Sequence, residues 1–404
     1  MINPWRGLGQ LPRAVWILSF VTLINRAGMM ALPFLVLYLT QNLGYAATTA
    51  GLVITVYGFG ALIFAPISGK LSDRFGPFRL MQYSLLLSGM ILLCFPLAAK
   101  LEVILPLTLL WAIISEAFRP ASLSAITGSV PPEQRKTAYA LNRLAINLGM
   151  SIGPAAGGFL ILISYSMLFW VDGATSLLAG AVLTFALRKD QKFSAAIAQL
   201  QTDVLLSQTT AKASPRMALA DKRLLFFLIA IIPVVIVFFQ HESTLPLFLV
   251  SDLHLPESTY GILFSVNTIL IVLTEVPLNL AMAHWSHRHT LTLGAFFFGV
   301  GFGANIFATG LLSAALSVVI WTFGEMVFLP GAAAYMAEIA PAERRGEYMG
   351  LYQMTFSIGF TLSGWIGTTL FQHAGSTALW AIMFLTGCVS VAALWRIDKK
   401  TSTT

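Results

Sequence analysis

Apolar runs of about 20 residues recur from one end of this sequence to the other, and each is long enough to cross a bilayer as an α-helix. The chain has 404 residues, of which 57% are hydrophobic and 10% are charged. Soluble domains carry about 25% charged residues, so one soluble core could not bury this much apolar surface. The period-2 alternation of membrane-spanning strands is absent. We therefore predict an all-α membrane protein.

The apolar runs divide into twelve predicted transmembrane helices, at residues 14–40, 46–68, 80–98, 102–127, 139–163, 165–187, 223–250, 258–283, 290–309, 311–337, 347–372 and 375–395. A long polar stretch separates the sixth span from the seventh. We predict three parts: an N-terminal six-helix bundle (1–187), a cytoplasmic central linker (188–222) and a C-terminal six-helix bundle (223–404).

The positions of the lysines and arginines predict the orientation. Of the 24, 20 fall in the two tails, the central linker and the loops after spans 2, 4, 8 and 10. Lys100 lies on the opposite side, and Arg26, Arg119 and Arg143 lie within spans. Because cytoplasmic loops carry the excess of basic residues, both termini and the linker are predicted to be cytoplasmic. Basic residues placed in this way do not indicate a nucleic-acid partner.

The two halves of the chain repeat at an offset of 210 residues, which places Pro120 on Pro330, Arg135 on Arg345 and Gly149 on Gly359. Repeats of six spans are typical of secondary transporters, which bind a substrate near the bilayer midplane between the repeats. The repeat predicts two pseudo-symmetric bundles and alternating access to one site.

Two glycine motifs stand out. The loop after span 2 carries Gly69, Asp73, Arg74, Gly76 and Arg79; glycines allow tight turns there, and Asp73 could accept hydrogen bonds from a helix N-terminus. Span 5 carries small residues on one face, which allow helices to approach closely in lipid, together with a proline that frees a backbone carbonyl. These are Gly149, Gly153, Pro154, Gly157 and Gly158.

These motifs resemble those of the major facilitator superfamily. The loop is similar to its G-x-L-x-D-R-x-G gating signature, although Pro77 and Phe78 replace basic residues. Span 5 resembles the G-x-x-x-G-P-x-x-G-G signature of its exporters, and Asn25-Arg26, Asn142 to Gly149 and Gly324-Glu325 resemble the 12-span drug:proton antiporters. The resemblance covers nearly the whole chain. It implies the superfamily's fold, proton-coupled export and a coupling role for the acidic residue at Glu325.

Ionisable residues inside spans are costly and usually functional. Glu325 lies near the middle of span 10, where burial disfavours its charged form, so it is the first candidate for proton coupling. The other coupling candidates are Glu116, Glu242 and Glu275, with His241 next to Glu242 as part of a candidate proton relay. The cavity candidates are Arg26, Arg119, Asn142 and Asn147. Glu116 and Arg119 share a helix face and could equally form a self-neutralising pair. Asp172, nearer the outer end of span 6, is expected to be structural.

Other chemistry finds little support. No phosphate-binding loop, nucleophile elbow or H-E-x-x-H zinc motif occurs, so we predict no enzyme activity, cofactor or metal. Three histidines at 284, 287 and 289 could form a metal or pH-sensing site, but a solvated turn explains them as well. Cys94 and Cys388 lie in apolar runs and indicate no disulfide framework.

We predict a monomer of the inner membrane that exports small amphiphilic molecules or drugs from the cytoplasm by alternating access, in exchange for protons. Its partners would be the substrate, protons and lipid. A proton-coupled importer and a dedicated metabolite or siderophore exporter of the same fold remain alternatives. A non-transporting receptor is a further one.

Overall fold

The computed structural model describes residues 8–189, 220–282, 284–341 and 344–397. Within these ranges all regular secondary structure is helical. Residues 190–219, most of the predicted linker, lie outside them. The α-helices are α1 (Arg13–Gly28), α2 (Leu35–Leu37), α3 (Ala47–Phe75), α4 (Pro77–Cys94), α5 (Leu101–Glu116), α6 (Phe118–Gly128), α7 (Arg135–Leu160), α8 (Tyr165–Lys189), α9 (Lys222–Phe238), α10 (Gln240–Ser243), α11 (Leu245–Leu247), α12 (Ser258–Ala281), α13 (His287–Gly303), α14 (Leu311–Ile339) and α15 (Arg345–Leu394).

Nine helical segments in the described part of the chain are long and apolar enough to cross a membrane. The last of them, Gly346–Leu394, has 49 residues, more than two membrane crossings need. Gly375, with φ 81° and ψ 168°, interrupts it. The two predicted spans 347–372 and 375–395 meet at this point. The all-helical membrane fold is therefore confirmed, and the helices are consistent with twelve spans.

Two predicted spans, the first and the seventh, are interrupted. α1 ends at Gly28, and regular helix resumes only at Leu35, after a segment that contains Pro33. Proline lacks an N–H and restricts the residue before it, so it favours such an interruption. The seventh span divides after Phe238, whereas the fourth continues from α5 to α6 through Ala117, whose backbone angles, φ −65° and ψ −25°, are helical. Breaks of this kind expose backbone groups that need partners elsewhere.

The structure repeats at the same 210-residue offset as the sequence. Leu35–Leu37 corresponds to Leu245–Leu247, and each is followed by a π-helical turn, Tyr38–Asn42 and Phe248–Asp252. The positive φ of Gly44, 72°, recurs as the 52° of His254. The internal repeat therefore reaches the irregular backbone as well as the helices.

The chain forms two compact units. Unit 1 comprises residues 1–32 and 60–212, and unit 2 comprises 33–59 and 213–404. In unit 1, α1 packs against α7 and α8, and α8 also packs against α4. A cluster of buried apolar side chains lies on these helices and on α6; its members include Val15, Leu18, Met81, Leu85, Phe118 and Leu183. In unit 2, α13 packs against α14 and α15, and α12 packs against α14.

Candidate functional site

The break after α9 places two ionisable residues inside unit 2. His241 and Glu242 lie on α10, with their side chains 7% and 12% exposed, and His241 Nε2 is 3.4 Å from Glu242 Oε1. His241 Nδ1 is 2.7 Å from the carbonyl oxygen of Phe238. Because a carbonyl only accepts, this nitrogen carries the proton. Nε2 is thus the nitrogen that can exchange a proton with Glu242.

Glu325 on α14 is held by an amide from α12. Asn267 Nδ2 donates to Glu325 Oε2 at 2.9 Å and to Thr322 Oγ1 at 3.0 Å. The Thr322 hydroxyl in turn donates to the Val318 carbonyl at 2.6 Å. Asn267 and Thr322 are buried, so their hydrogen bonds fix the position of the Glu325 carboxyl.

These two groups belong to one electrostatic cluster in unit 2. The charges of Glu242 and Glu325 both act on His241, and Glu275 on α12 acts on Glu325. The structure therefore brings together three of the four predicted coupling carboxyls and the predicted relay His241, and it adds Asn267 to them. The sequence offered only a weak signal for Asn267, a lone amide in an apolar helix.

Aromatic rings surround the His241 imidazole. The ring centroids of Phe238, Trp321 and Phe264 lie 4.6, 5.7 and 6.0 Å from it. The buried Trp321 Nε1 and Tyr260 hydroxyl have no hydrogen-bond partner within the described ranges. The surroundings of the cluster are thus apolar, with two donors available to a bound molecule.

Unit 1 carries a separate charged group. Arg119 Nη2 lies 3.8 Å from Glu116 Oε1 across the division between α5 and α6. The charge of Arg26 on α1 also acts on Glu116. The fourth predicted coupling carboxyl therefore lies with the two predicted cavity arginines and not with Glu325.

The two predicted cavity asparagines lie on α7. Asn142 is buried, and its Oδ1 has no hydrogen-bond partner among the described residues. Asn147 is partly buried, and its backbone carbonyl accepts a hydrogen bond from the Ser151 hydroxyl at 2.9 Å. Asn25 on α1 was not among the predicted site residues. Its Nδ2 donates a hydrogen bond to Ser176 Oγ at 3.3 Å.

The glycines of the span 5 motif bring α7 into close contact with α1. A Cβ at Gly149 would lie 2.5 Å from Arg26 Cβ, and one at Gly153 would lie 2.8 Å from the carbonyl oxygen of Met29. Pro154 lies inside α7, followed by the buried Gly157 and Gly158. The motif therefore fixes the backbone of α1 beside Arg26 and at the start of its break.

In the loop motif, Gly76 has φ 85° and precedes Pro77, the first residue of α4. Positive φ explains why glycine is needed there. Arg74 and Arg79 are exposed. Gly69 lies in the last turns of α3, and the side chain of Asp73 lies outside the described part of the structure, so the latch stays a prediction.

Two of the three histidines that follow α12, His287 and His289, lie in the first turn of α13. His287 Nε2 is 2.7 Å from Glu338 Oε2, and His289 Nδ1 is 2.8 Å from the Ser286 hydroxyl. The described residues contain no group of three or more His, Cys, Asp or Glu side chains that could hold a metal.

Repeated six-span halves with buried charges define a class, the secondary transporters. The chain matches the sequence model of the Major Facilitator Superfamily over residues 15–256 and 242–404. It belongs to this superfamily and is an integral membrane transporter.

The chain is similar to several bacterial transport proteins. The chain is 26% identical to the uncharacterized MFS-type transporter YttB of Bacillus subtilis over 396 residues, 96% of each chain. It is 22% identical to a Na(+), Li(+), K(+)/H(+) antiporter of Planococcus maritimus, over 83% of this chain and 84% of that one. It is 24% identical to the quinolone resistance protein NorA of Staphylococcus aureus, over 45% and 47%.

The fold is similar to that of a solved POT family transporter in complex with 5-aminolevulinic acid. The TM-score is 0.74 at 18% identity, and the match covers 95% of each chain.

Proposed function

We propose that this transporter exports small amphiphilic molecules from the cytoplasm and is driven by protons that enter in exchange. The observation that carries the proposal is the partly buried Glu325 carboxyl inside α14, positioned by the buried Asn267 beside the His241–Glu242 pair. A buried carboxyl can take up and release a proton with a change in its surroundings, which is what coupling requires.

Two further observations support export. The span 5 motif brings α7 against α1 next to Arg26. NorA, a quinolone resistance protein, and the cation/H(+) antiporter are both relatives. The aromatic rings around His241 would suit an amphiphilic substrate with an apolar ring.

The residues divide by role. Glu325 would bind the coupling proton, and His241 Nε2 and Glu242 would relay it, with Glu275 modulating Glu325 through its charge. Arg26, Glu116 and Arg119 would form an ion-pair group that responds to substrate, with Asn142 and Asn147 along α7. The protein would work as a monomer in the inner membrane by alternating access, with both termini in the cytoplasm and loop 69–79 stabilising one end state.

The test compares dye or drug accumulation in pump-deficient cells that express the wild type, Glu325→Gln or Glu338→Gln. Glu338 is the matched control because it is a carboxyl on the same helix, α14, paired with His287 at its end. We expect the wild type and the control to lower accumulation, and both an uncoupler and Glu325→Gln to abolish this effect.

Equal export by the wild type and Glu325→Gln would contradict the coupling role. A well-expressed wild type that leaves a broad panel unchanged would contradict drug export, and would favour a dedicated metabolite exporter. Uptake of a nutrient with protons would favour the importer. Ligand binding without movement in sealed vesicles would favour a receptor.

Exchange of monovalent cations for protons is a second candidate, because the relative of Planococcus maritimus carries that name and matches most of the chain. It predicts that Na⁺, Li⁺ or K⁺ added to everted vesicles collapses a preformed pH gradient. Collapse by cations in the absence of any organic substrate, lost in Glu325→Gln, would replace drug export with cation export.

A further inference from the structure

Asp172 on α8 is a buried carboxyl that lies outside both groups described above. Its side chain belongs to unit 1 and the residue is only 3% exposed. Asp172 Oδ2 accepts hydrogen bonds from the backbone N–H groups of Met30, at 3.2 Å, and Ala31, at 3.1 Å. Both donors lie in the break that follows α1.

These hydrogen bonds fix the break. After α1 ends at Gly28, the backbone N–H groups of the next residues leave the regular helix and must find other acceptors. An ionised carboxylate accepts such bonds more strongly than a neutral group does. Two residues after Met30 the chain passes from unit 1 into unit 2, between Leu32 and Pro33. Asp172 therefore anchors the chain just before this passage.

One charged group acts on Asp172. The elements packed against α8 are chiefly α1, α4 and α7, whose described ionisable side chains are Arg13, Arg26, Arg79, Tyr83, Arg135, Tyr139 and Arg143. α4 also ends at the thiol of Cys94. Of all these groups, Arg26 is the one whose charge acts on Asp172, and the same Arg26 acts on Glu116. Arg26 thus lies within electrostatic range of two carboxyls, one on α8 and one on α5.

The equivalent break in the second half has no such carboxyl. Position 382, which is 210 residues after Asp172, is isoleucine. The break after α9 instead contains the neutral Gln240, whose Nε2 donates to the Ile236 carbonyl at 3.1 Å and whose Oε1 accepts from the Thr244 hydroxyl at 2.7 Å. Glu242 lies at that break too, but its carboxyl faces the His241 side chain, whereas Asp172 accepts from the backbone N–H groups of the break itself.

We propose that Asp172 is a second proton-binding site, at which a proton competes with the Met30 and Ala31 N–H groups and with Arg26. The ionised carboxylate fixes the break. Protonation weakens both hydrogen bonds and frees the segment from residue 29 to 32. It also removes the negative charge of Asp172, so that Arg26 interacts with Glu116. By linkage, freeing the segment promotes proton binding to the same extent. Use of this proton in transport rests on the proposed function, whereas the proton-sensitive anchor does not.

The test measures amide hydrogen exchange across residues 29–34 in the full-length protein in nanodiscs, corrected for the intrinsic pH dependence of exchange. The wild type is compared between about pH 5 and pH 9, a range set to bracket the titration of a buried carboxyl. We expect protection to fall on acidification, with exchange accelerated about tenfold, the factor for losing one hydrogen bond to a charged acceptor.

Two variants complete the design. Asp172→Asn keeps a neutral acceptor of the same shape, so we expect low protection at every pH and no pH dependence. Glu102→Gln is the matched control, because Glu102 is an exposed carboxyl in the first turn of α5 whose charge does not act on Asp172, and it should keep the wild-type pH dependence. Two results would overturn the proposal: protection in the wild type that does not change with pH, or protection in Asp172→Asn that falls on acidification as in the wild type.

The result is separable from the proposed function. Glu325→Gln should leave exchange at residues 29–34 unchanged while it abolishes proton-driven export. If no export is found but exchange follows pH as expected, the anchor stands and the proposed function fails. If export and its dependence on Glu325 are found but exchange ignores pH, Asp172 is not a proton site.

Discussion

A side chain at position 153 would meet the Met29 carbonyl at 2.8 Å, closer than real Cβ contacts allow. Gly149 is restricted in the same way by Arg26. Small residues at a helix contact permit close packing in lipid, where apolar burial alone does not hold helices together. At these positions, therefore, the glycines of the exporter motif allow the short distance between α7 and α1.

Two glycine-to-alanine substitutions should have opposite effects on stability. Gly153→Ala should destabilise the fold by about 1–3 kcal/mol, because α1 must move to admit the methyl group. Gly350→Ala is the control, since Gly350 also lies in a helix but nothing lies within 4 Å of a Cβ there. It should stabilise by about 0.5–1 kcal/mol. Thermal unfolding in detergent would measure both, and equal shifts would show that the α1–α7 contact tolerates a methyl group.

Residue-scale prediction from sequence succeeded in part. An acidic residue within an apolar span is conspicuous, so Glu325 and Glu242 could be selected as coupling candidates. Asn267 could not, because its importance comes from a 2.9 Å contact between helices that are far apart in sequence. The sequence offered a pair of Glu116 and Arg119 as one alternative, and these side chains lie 3.8 Å apart. The backbone contacts of Asp172, in contrast, had no sequence signal.

At the scale of elements, the start of α9 shows how a helix end is stabilised. Asp221 is its N-cap, accepting from the Arg223 N–H at 2.8 Å and from the Tyr348 hydroxyl at 2.7 Å. Burial raises the pKa of Asp221, but these hydrogen bonds and nearby Arg223 outweigh it, so the pKa lies below its usual value. The ionised cap therefore ties α9 to α15.

Removing this cap should weaken unit 2 in a pH-dependent way. Asp221→Ala should cost about 1 kcal/mol at neutral pH. Because the folded-state pKa is lowered, the contribution is complete above about pH 4 and is lost as the pH falls through the folded-state value. The difference in unfolding temperature from the wild type should therefore shrink on acidification.

The control for that prediction is Tyr348→Phe, which removes one of the two donors and should give a smaller loss with the same trend. A difference that grows as the pH falls would mean that the carboxylate does not act as the cap in solution.

Element prediction was accurate for extent and poor for continuity. Spans 11 and 12 were separated at the position where Gly375 leaves the helical region. Spans 1 and 7 were each expected to be single helices, and the structure interrupts both. An apolar run has the same composition whether its helix is continuous or broken, and the partners that accept the freed N–H groups, such as Asp172, lie on other helices.

At the scale of the whole molecule, the basic residues predict one orientation in the membrane. Lys100, at the start of α5, and Arg79, near the start of α4, lie on opposite sides in that prediction, and both are exposed. Cysteine labelling can test this orientation, because only two native cysteines, Cys94 and Cys388, need to be replaced first.

In a cysteine-free background, Lys100→Cys should react with an impermeant maleimide in intact cells, because its loop is predicted to face outwards. Arg79→Cys should react only after the membrane is opened. The reverse labelling pattern would invert the orientation, and with it the direction of transport that we propose.

Whole-molecule prediction was strongest where the chain repeats itself. The offset of 210 residues found in the sequence reappears in the π-helical turns and in the positive φ angles at 44 and 254. The sequence could not show how residues 33–59 cluster with the second half of the chain, because those contacts depend on tertiary packing.

The repeat also makes each half of the molecule an internal reference for the other. Where both copies share a backbone irregularity but differ in side chain, as at Gly44 and His254, the geometry is inherited and the side chain has been free to diverge. Where one copy has a carboxyl and the other an isoleucine, as at 172 and 382, the charge arose or persisted in one copy alone. Exchanging such pairs between halves would therefore separate, within a single protein, what folding has preserved from what has become specialised.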